Sequence, residues 1–536
     1  MPEVSLDGES LSVADVVAVA RRDAPVAVAD GARVAIRDSR ARVEDVLESG
    51  EAVYGVNTGF GDLVDTRVPR ERVVELQQNL LRSHAAGAGR ELEREEVRAT
   101  LLTRANALAK GYSGVREVVV DRLVDLLNEG VHPVVRSRGS LGASGDLAPL
   151  AHLSLVLVGE GEADVEVDGE VRRLPGDEAL AAVGLDPLTL EAKEGLALIN
   201  GTQVTVGLGA LAVHDAARLV RAADAAGSLT TEVTMGTTAA ADPAIQEVRP
   251  HAGQAASARN VKTLTADSEV VESHRNCDRV QDAYSIRCLP QVHGAVRDAV
   301  SHLREAVEVE LNSATDNPLV FPPGRVGRRT SGTEHADVVS GGNFHGEPLA
   351  LRLDYAASAL TELAAIAERR VDRMLNPHVQ EDHLPPFLTP ESGVQSGLMI
   401  AQYTAAAAVN ECRSTGRPST DSTPVSGNQE DHVSMSATSA FATRRVVDAA
   451  RTAVAVELVC AAQAAEFVDD TLAHGVGTGA TYEAVREVVP PLAEDRPLSA
   501  DIDAADELVR SGALETAVSS ALADAGAVDR RTDALE

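Results

Sequence analysis

Apolar residues recur at intervals of three and four along several long stretches of this chain, which is the spacing of one face of an α-helix. The clearest stretch begins near Pro290, and its apolar face comprises Val292, Val296, Val300, Leu303, Val307 and Leu311. A second begins at Pro348 and ends before Asn376-Pro377, and a third covers about residues 439–466. At 1.5 Å per residue each would measure roughly 30 Å or more, the length of bundle helices.

Other segments have different patterns. Residues 1–113 mix short apolar runs with Gly-rich loops. In ADVEVDGEVRRL, residues 163–174, Val165 and Val167 alternate with charged residues before Asp168-Gly169, a pair typical of two-residue hairpin turns. The segment 513–528 predicts one more amphipathic helix. The sequence therefore predicts a mainly α protein, with an N-terminal head domain over 1–113 packed on a central and C-terminal helical-bundle domain over 114–536.

Two glycine-rich segments imitate nucleotide-binding motifs. Residues 207–212, GLGALA, follow an apolar stretch, but no alternation of strands and helices surrounds them, so a dinucleotide site is disfavoured. Residues 475–479 lack the Lys-Ser/Thr ending of a phosphate-binding loop. We expect a helix-terminating turn there.

The charge balance is strongly acidic. The 536 residues include 49 basic and 82 acidic side chains, giving a net charge of −33, and lysine occurs only at 110, 193 and 262. The acids are spread along the chain rather than gathered in a tail, which favours a surface adapted to high salt over a docking site for a basic partner. The absence of a basic patch disfavours nucleic-acid binding.

Cysteine usage and hydropathy limit the protein class further. The four cysteines, at 277, 288, 412 and 460, have no CxxC spacing, so we expect neither a zinc site nor a disulfide framework, and no bound metal. The N-terminal segment MPEVSLDGES lacks the pattern of a signal peptide, and no run approaches the roughly 18 apolar residues of a membrane span. These features predict a cytoplasmic protein that does not enter a membrane.

The most informative segment is GSLGASGDLAPLAH, residues 139–152. Within it, Ala143-Ser144-Gly145 has the composition needed for a backbone ring closure in which the Gly145 nitrogen attacks the Ala143 carbonyl and the Ser144 hydroxyl is eliminated. Glycine lacks the Cβ that would obstruct such a close approach. Asp146 follows directly and is placed to take up a proton. Alone, the tripeptide is more typical of a Gly/Ser-rich surface turn than of a reactive site.

Seven further segments extend the pattern along nearly the whole chain: YGVNTGFG (54–61), SHAAG (83–87), KEGLALINGTQ (193–203), QDAYSIRCLPQVHG (281–294), NSATDNPL (312–319), GNFHGEP (342–348) and NQEDHVSM (428–435). Together with GSLGASGDLAPLAH they resemble the aromatic amino acid ammonia-lyases, most closely the histidine-specific members. The resemblance implies that Ala143, Ser144 and Gly145 form a methylidene-imidazolone (MIO) electrophile without an external cofactor, and that L-histidine is deaminated to trans-urocanate and ammonia.

The resemblance also assigns catalytic roles. Tyr54 would be the base, for which its pKa must fall from about 10. Tyr284 would be a second tyrosine at the MIO group, and the planar fork of Arg287 would bind the substrate carboxylate. Asn200 and Gln281 would hydrogen-bond the carboxylate and amino ends of the substrate or the MIO carbonyl.

The ring pocket would decide the substrate. Phe344 would form part of its wall, while His84 and Glu430 would pair with an imidazole, a need that a phenyl ring does not have. A solvated histidine and a helix-capping glutamate are the alternatives at those two positions. The sequence departs from the family at Arg413, where many members have lysine, which puts any lysine-specific contact in doubt.

The resemblance further implies a homotetramer in which several chains build each active site. Two rival functions stay open. A phenylalanine or tyrosine ammonia-lyase, or an aromatic aminomutase, would share the electrophile, but His84 and Glu430 argue against these substrates. An inactive helical scaffold would keep the bundle, but the intact catalytic residues argue against it. The GSxxMPxKxN motif of fumarase-like lyases is absent.

Overall fold

The computed structural model describes residues 2–50, 72–275, 277, 279–327 and 331–526. Helices dominate them, as the sequence predicts: α1 (Val13–Arg22), α2 (Asp30–Ser49), α3 (Val73–His84), α4 (Arg94–Ala109), α5 (Glu117–Asn128), α6 (Leu147–Leu157), α7 (Gly176–Ala182), α8 (Glu194–Ile199), α9 (Gln203–Val233), α10 (Pro243–Glu247), α11 (Ala252–Leu264), α12 (Glu269–Ser273), α13 (Tyr284–Arg287), α14 (Leu289–Leu311), α15 (Glu347–Leu375), α16 (Met399–Ser414), α17 (Ser436–Ala465), α18 (Val476–Val488), α19 (Ser499–Ser511) and α20 (Ala513–Asp524).

The strands are short and form four small sheets. They are β1 (Val4–Leu6), β2 (Val26–Val28), β3 (Ala88–Glu91), β4 (His132–Pro133), β5 (Arg136–Arg138), β6 (Glu162–Val167), β7 (Glu170–Pro175), β8 (Leu319–Phe321), β9 (Ser331–Gly332) and β10 (Asp337–Val339). The orders are β1-β2, β3-β5, β4-β6-β7 and β8-β10-β9, and among these described strands only β1 and β2 pair in parallel.

The predicted hairpin and long helices are confirmed. Strands β6 and β7 pair from Glu162 opposite Pro175 to Val167 opposite Glu170. Their turn residues, Asp168 and Gly169, have φ of 56° and 80°, as a type I′ turn requires. Helices α14, α15, α17 and α20 match the predicted stretches to within a few residues.

The structure also shows what the two glycine-rich segments form. GLGALA lies inside α9, a continuous helix of 31 residues, which leaves no loop for a pyrophosphate. The turn expected at 475–479 is wrong: Gly475 is the N-cap of α18, so the segment begins a helix rather than ending one.

The described chain divides into two compact units. The first contains residues 1–214, 303–354 and 417–441, and the second contains 215–302, 355–416 and 442–536. The division predicted at residue 113 does not coincide with a boundary between these units and stays a prediction. No helix in the described ranges is long and apolar enough to cross a membrane.

Each unit has its own core. In the second unit, alanine-rich faces of α9, α15 and α17 pack together with α16 and α18–α20, because small side chains allow close helix contact. In the first unit, α3, α6 and α8 pack against one another, while α4 is buried on all sides from Glu96 to Ala109 and packs on α1 and α5. These first-unit helices carry or flank the segments singled out from the sequence.

The three lysines are all held in place. Lys193 is fully buried and its Nζ lies 2.7 Å from an Asp316 carboxylate oxygen. Lys110 pairs with Glu9 at 2.8 Å, and Lys262 donates to the Thr238 hydroxyl at 3.1 Å. Arginine supplies nearly all the other cations of the chain.

Candidate active site

The Ala143-Ser144-Gly145 segment lies in the loop between β5 and α6. Gly145 has φ of +76°, and a Cβ at this position would overlap the Gly201 carbonyl oxygen. The Asp146 N–H donates to that same oxygen at 2.7 Å. Only glycine fits both the left-handed backbone and this close approach. The fold therefore explains the glycine independently of any chemistry.

Ser144 is contacted from two sides by residues that the sequence analysis selected. Its Oγ donates to a Glu430 carboxylate oxygen at 2.7 Å. Its carbonyl oxygen accepts from the Asn200 Nδ2 at 2.7 Å. Because a carbonyl only accepts, this contact fixes the orientation of the Asn200 amide. Three predicted site residues are thus brought together, and of the roles left open for Asn200 the structure favours the one at the tripeptide carbonyl.

Asp146 is a fully buried carboxyl next to the tripeptide. It accepts hydrogen bonds from the Ser140 hydroxyl at 2.7 Å, the Thr205 N–H at 2.8 Å and the Thr205 hydroxyl at 3.1 Å. Burial raises the pKa of Asp146 above its ordinary value, although these hydrogen bonds oppose the effect. A raised pKa suits a group that takes up a proton during ring closure.

Two further chain segments hydrogen-bond the backbone of this loop. The Met435 N–H donates to the Leu141 carbonyl at 2.7 Å, and the Ser434 hydroxyl and Gly346 N–H both donate to the Gly142 carbonyl at 2.9 Å. These residues lie in the blocks GNFHGEP and NQEDHVSM, within which the sequence predicts only Phe344 and Glu430 as site residues. Backbone-directed hydrogen bonds leave no pattern that a single sequence reveals.

His84 is half-buried at the C-terminal end of α3. Its Nδ1 lies 2.8 Å from the Leu80 carbonyl oxygen and 3.1 Å from the Ser83 hydroxyl. Because a carbonyl only accepts, Nδ1 carries a hydrogen, and the matching neutral tautomer has Nε2 as its acceptor. Strand β3 follows directly and pairs with β5, just before the tripeptide loop. Within the described residues, no hydrogen bond joins His84 to Ser144, Asn200 or Glu430. Phe344 is also half-buried, two residues before Gly346.

Gln281, Tyr284 and Arg287 belong to the second unit, on and just before α13. The Arg287 guanidinium carbon lies 4.8 Å from the centre of the Tyr284 ring, and Tyr284 is 69% exposed in the chain. Gln281 is exposed. Arg287 and Tyr284 therefore form one cation–π pair on an accessible turn. Tyr54 lies outside the described residues. Among those that are described, no cluster of His, Cys, Asp and Glu has the arrangement of a metal site.

Comparison with known proteins identifies the family of this chain. The profile of the aromatic amino acid lyase family matches residues 11–487. A probable histidine ammonia-lyase of Halobacterium salinarum is 67% identical over 519 residues, covering 97% of this chain and 98% of the relative. The histidine ammonia-lyase of Gloeobacter violaceus is 52% identical over 517 residues, covering 96% and 97%.

Solved structures agree as well. Histidine ammonia-lyase from Trypanosoma cruzi superposes with a TM-score of 0.88 at 39% identity, covering 97% of this chain and 96% of that one. Tyrosine aminomutase from Streptomyces globisporus superposes with a TM-score of 0.89 at 38% identity, covering 97% and 99%. The fold is that of a carbon–nitrogen lyase. The chain belongs to the aromatic amino acid lyase family, which confirms the resemblance inferred from its motifs.

Proposed function

We propose that this protein catalyses the non-oxidative deamination of L-histidine to trans-urocanate and ammonia. The observation that carries the proposal is the environment of Ser144, whose hydroxyl donates to Glu430 and whose carbonyl accepts from Asn200, each at 2.7 Å. The names of relatives at 49–67% identity over nearly the whole chain support histidine as the substrate.

The residues present fit an MIO group formed from Ala143, Ser144 and Gly145. Asn200 holds the Ser144 carbonyl, the oxygen that would remain on the ring, and Gly145 has no side chain to obstruct closure. When formed, the group supplies an electrophile that activates the substrate amine for elimination. No external cofactor is needed in this proposal.

The chain's own residues would bind the substrate and move its protons. Arg287 offers a bidentate fork for the carboxylate, and its contact with the Tyr284 ring keeps both groups on one turn. Gln281 precedes them and would hydrogen-bond the substrate, and Phe344 would line the ring pocket. Tyr54 would remove the β-proton, a role that comes from the family resemblance alone.

Preference for histidine over phenylalanine or tyrosine would come from acceptors that only an imidazole satisfies. Glu430 offers a carboxylate, and the tautomer of His84 leaves Nε2 as an acceptor. A phenyl ring cannot satisfy these half-buried acceptors, which penalises that substrate. A tyrosine aminomutase has the same fold, so the fold alone does not distinguish histidine from tyrosine or phenylalanine as the substrate. The experiment below therefore includes all three.

The protein would act as a homotetramer in the cytoplasm of a salt-adapted cell. The charge of −33 and the 67% identity to a Halobacterium salinarum protein support the salt adaptation. The cytoplasmic location rests on the cysteine pattern of the sequence, which predicts no disulfide framework. The tetramer rests on the family resemblance.

The decisive experiment compares purified protein with L-histidine, L-phenylalanine and L-tyrosine, following ammonia and the unsaturated acid. We expect turnover of histidine with a much higher kcat/KM than the other two. Intact-mass analysis should show a chain lighter than its translated sequence by two water molecules, and Ser144→Ala should remove both the mass loss and the activity. Preferred turnover of phenylalanine or tyrosine would establish the rival substrates, and absence of turnover of all three would favour an inactive scaffold.

A further inference from the structure

Arg104, on α4, is a fully buried cation that lies outside the quoted motifs and has no role in the proposed function. Its guanidinium makes no ion pair with any described residue. Instead, Nη1 donates to the Ala197 carbonyl at 2.6 Å, and Nη2 donates to the Asn200 carbonyl at 2.9 Å and to the Gln203 side-chain oxygen. Burying an unpaired charge is costly, so its retention at this place calls for a reason.

The carbonyls that bind Arg104 belong to the C-terminal end of α8. Asn200 is the C-cap of this helix, and carbonyls at a helix end have no partner within the helix. A cation there also complements the negative end of the helix dipole. Burial lowers the pKa of Arg104 to about 10, against the opposing charges of Asp316 and Asp146, so the group remains protonated near neutral pH.

The segment held by Arg104 is the one that contacts the tripeptide. Asn200 donates from its side chain to the Ser144 carbonyl at 2.7 Å. The Gly201 carbonyl accepts from the Asp146 N–H at 2.7 Å. A Cβ on Gly201 would overlap the Arg104 Nη2, so the guanidinium packs directly on this glycine. Arg104 thus lies immediately behind Asn200-Gly201, which in turn lies against Ser144-Gly145.

We propose that Arg104 is a positioning residue for formation of the electrophile, holding Asn200-Gly201 so that the backbone from Ala143 to Gly145 is presented for ring closure. This inference rests on the proposed function. Closure joins the Gly145 nitrogen to the Ala143 carbonyl carbon, and the Ala143 oxygen leaves as water with the amide hydrogens of Ser144 and Gly145. Ser144 then loses its hydroxyl and Cα hydrogen as the second water. Its carbonyl stays on the ring, bound by Asn200.

The chain offers a matched control on the same helix. Arg98 is also buried and also donates to two backbone carbonyls, those of Val19 and Leu127, each at 2.9 Å. Those carbonyls belong to α1 and α5, which do not contact the tripeptide loop through any hydrogen bond in the described residues. Unlike Arg104, Arg98 also pairs with Asp23 at 3.2 Å and lies 3.2 Å from His132 Nε2. Arg98→Met therefore removes a buried arginine of the same helix, with at least as many partners, without disturbing Asn200-Gly201.

The experiment measures the fraction of chains that have lost two water molecules, by intact mass, at fixed times after synthesis, together with kcat and KM for L-histidine. For Arg104→Met we expect the rate of water loss to fall at least about tenfold, with kcat falling in proportion to the modified fraction. Arg104→Lys keeps the charge and should restore part of the rate. Arg98→Met should lower the melting temperature but modify at the wild-type rate.

The outcomes separate this inference from the proposed function. A wild-type chain of unmodified mass would overturn the proposed function itself. A modified wild type with Arg104→Met modifying equally fast would overturn only the role of Arg104, as would equal slowing in Arg98→Met, which would make the effect a general loss of stability. If Arg104→Met does not fold, the test uses Arg104→Lys, which should lose its two water molecules more slowly than wild type. Water loss from Arg104→Lys at the wild-type rate would contradict the proposal.

Discussion

The Ser144 hydroxyl and the Glu430 carboxylate form a hydrogen bond of 2.7 Å although 286 positions separate them along the chain. The contact is made inside the first unit, where the segment 417–441 packs against the loop before α6. It places a charged acceptor beside the one hydroxyl whose elimination would create the electrophile. In the proposed function, Glu430 would act both on the tripeptide and on a substrate ring bound next to it.

Replacing Glu430 by glutamine should change substrate preference. The amide side chain of Glu430→Gln would keep the size and one acceptor oxygen but lose the charge that strengthens a hydrogen bond to an imidazole N–H. We expect kcat/KM for histidine to fall at least about tenfold, and that for phenylalanine to change much less. The measurement is the ratio of the two kcat/KM values, with intact mass confirming that Ser144 is still dehydrated. Equal losses of kcat/KM on both substrates would contradict a contact between Glu430 and the substrate ring.

His84→Leu should lower activity toward histidine much more than activity toward phenylalanine. The variant removes the Nε2 acceptor but leaves the end of α3 with a side chain of similar bulk. Histidine turnover should drop roughly tenfold or more, with little effect on phenylalanine. Val74→Ala, at an exposed position in the first turn of the same helix, is the control and should behave as wild type. A loss in the control would point to disturbance of α3 rather than to recognition.

Shared active sites predict complementation between inactive chains. By family resemblance, Tyr54 and Tyr284 of one working site come from different subunits of a closed tetramer. Tyr54→Phe and Tyr284→Phe should each be nearly inactive alone, yet regain part of the wild-type activity when the two chains are co-expressed. Native mass spectrometry would verify the hybrid tetramers. Hybrids without activity would mean that one chain supplies both tyrosines.

His132 predicts a pH dependence of stability. Burial, together with the positive charges of Arg94 and Arg98, lowers the pKa of His132 from 6.5 to about 4, and its Nε2 lies 3.2 Å from the Arg98 guanidinium as a neutral acceptor. Below pH 6.5 the unfolded chain takes up a proton that the folded chain refuses. The free energy of unfolding is therefore unaffected by this group above pH 6.5. It falls by about 3 kcal/mol as the pH drops from 6.5 to about 4.

The check is the melting temperature of wild type and His132→Gln from pH 8 to pH 5. The difference between them should narrow as the pH falls, because the variant lacks the group that titrates only in the unfolded state. His335→Gln, at an exposed histidine, is the control and should parallel wild type. Parallel curves for His132→Gln would contradict the lowered pKa.

The net charge predicts stabilisation by salt. A chain at −33 repels itself, and salt screens this repulsion over about 10 Å at 0.1 M and over shorter distances in concentrated solutions. The melting temperature should therefore rise steeply with potassium chloride. Sucrose at matched water activity separates charge screening from general exclusion effects. A flat salt response would leave the acidic composition unexplained.

The sequence predicts best where one face of an element is buried and the other is solvated. The predicted start of helix α14 agrees with the structure to within one residue because its apolar positions form a stripe. Helix α9, of 31 residues, is not predicted because it is buried on nearly all sides. Its small apolar residues therefore occur on every face and show no three- and four-residue spacing.

The site shows the same limit. Ser144, Asn200 and Glu430 are identifiable because they lie in recognisable blocks, but their contacts arise only when distant segments fold together. Arg104 gives no signal at all, since an arginine within a helix is expected at the surface. Its partners are backbone carbonyls, and no pattern of side chains along a sequence encodes those. The sequence therefore identifies the predicted reacting groups but not the residues, such as Arg104, that hold their backbone in position.

The placement of the lysines has a practical consequence for anyone studying assembly of this protein. Lys193 is sealed inside the first unit, and Lys110 and Lys262 are both engaged in polar contacts. Reagents that couple amines will thus find almost no side chains to join, and an absence of cross-linked bands will look like a monomer whatever the true assembly. Subunit counting here needs carboxylate-directed coupling, or methods that leave the protein chemically untouched.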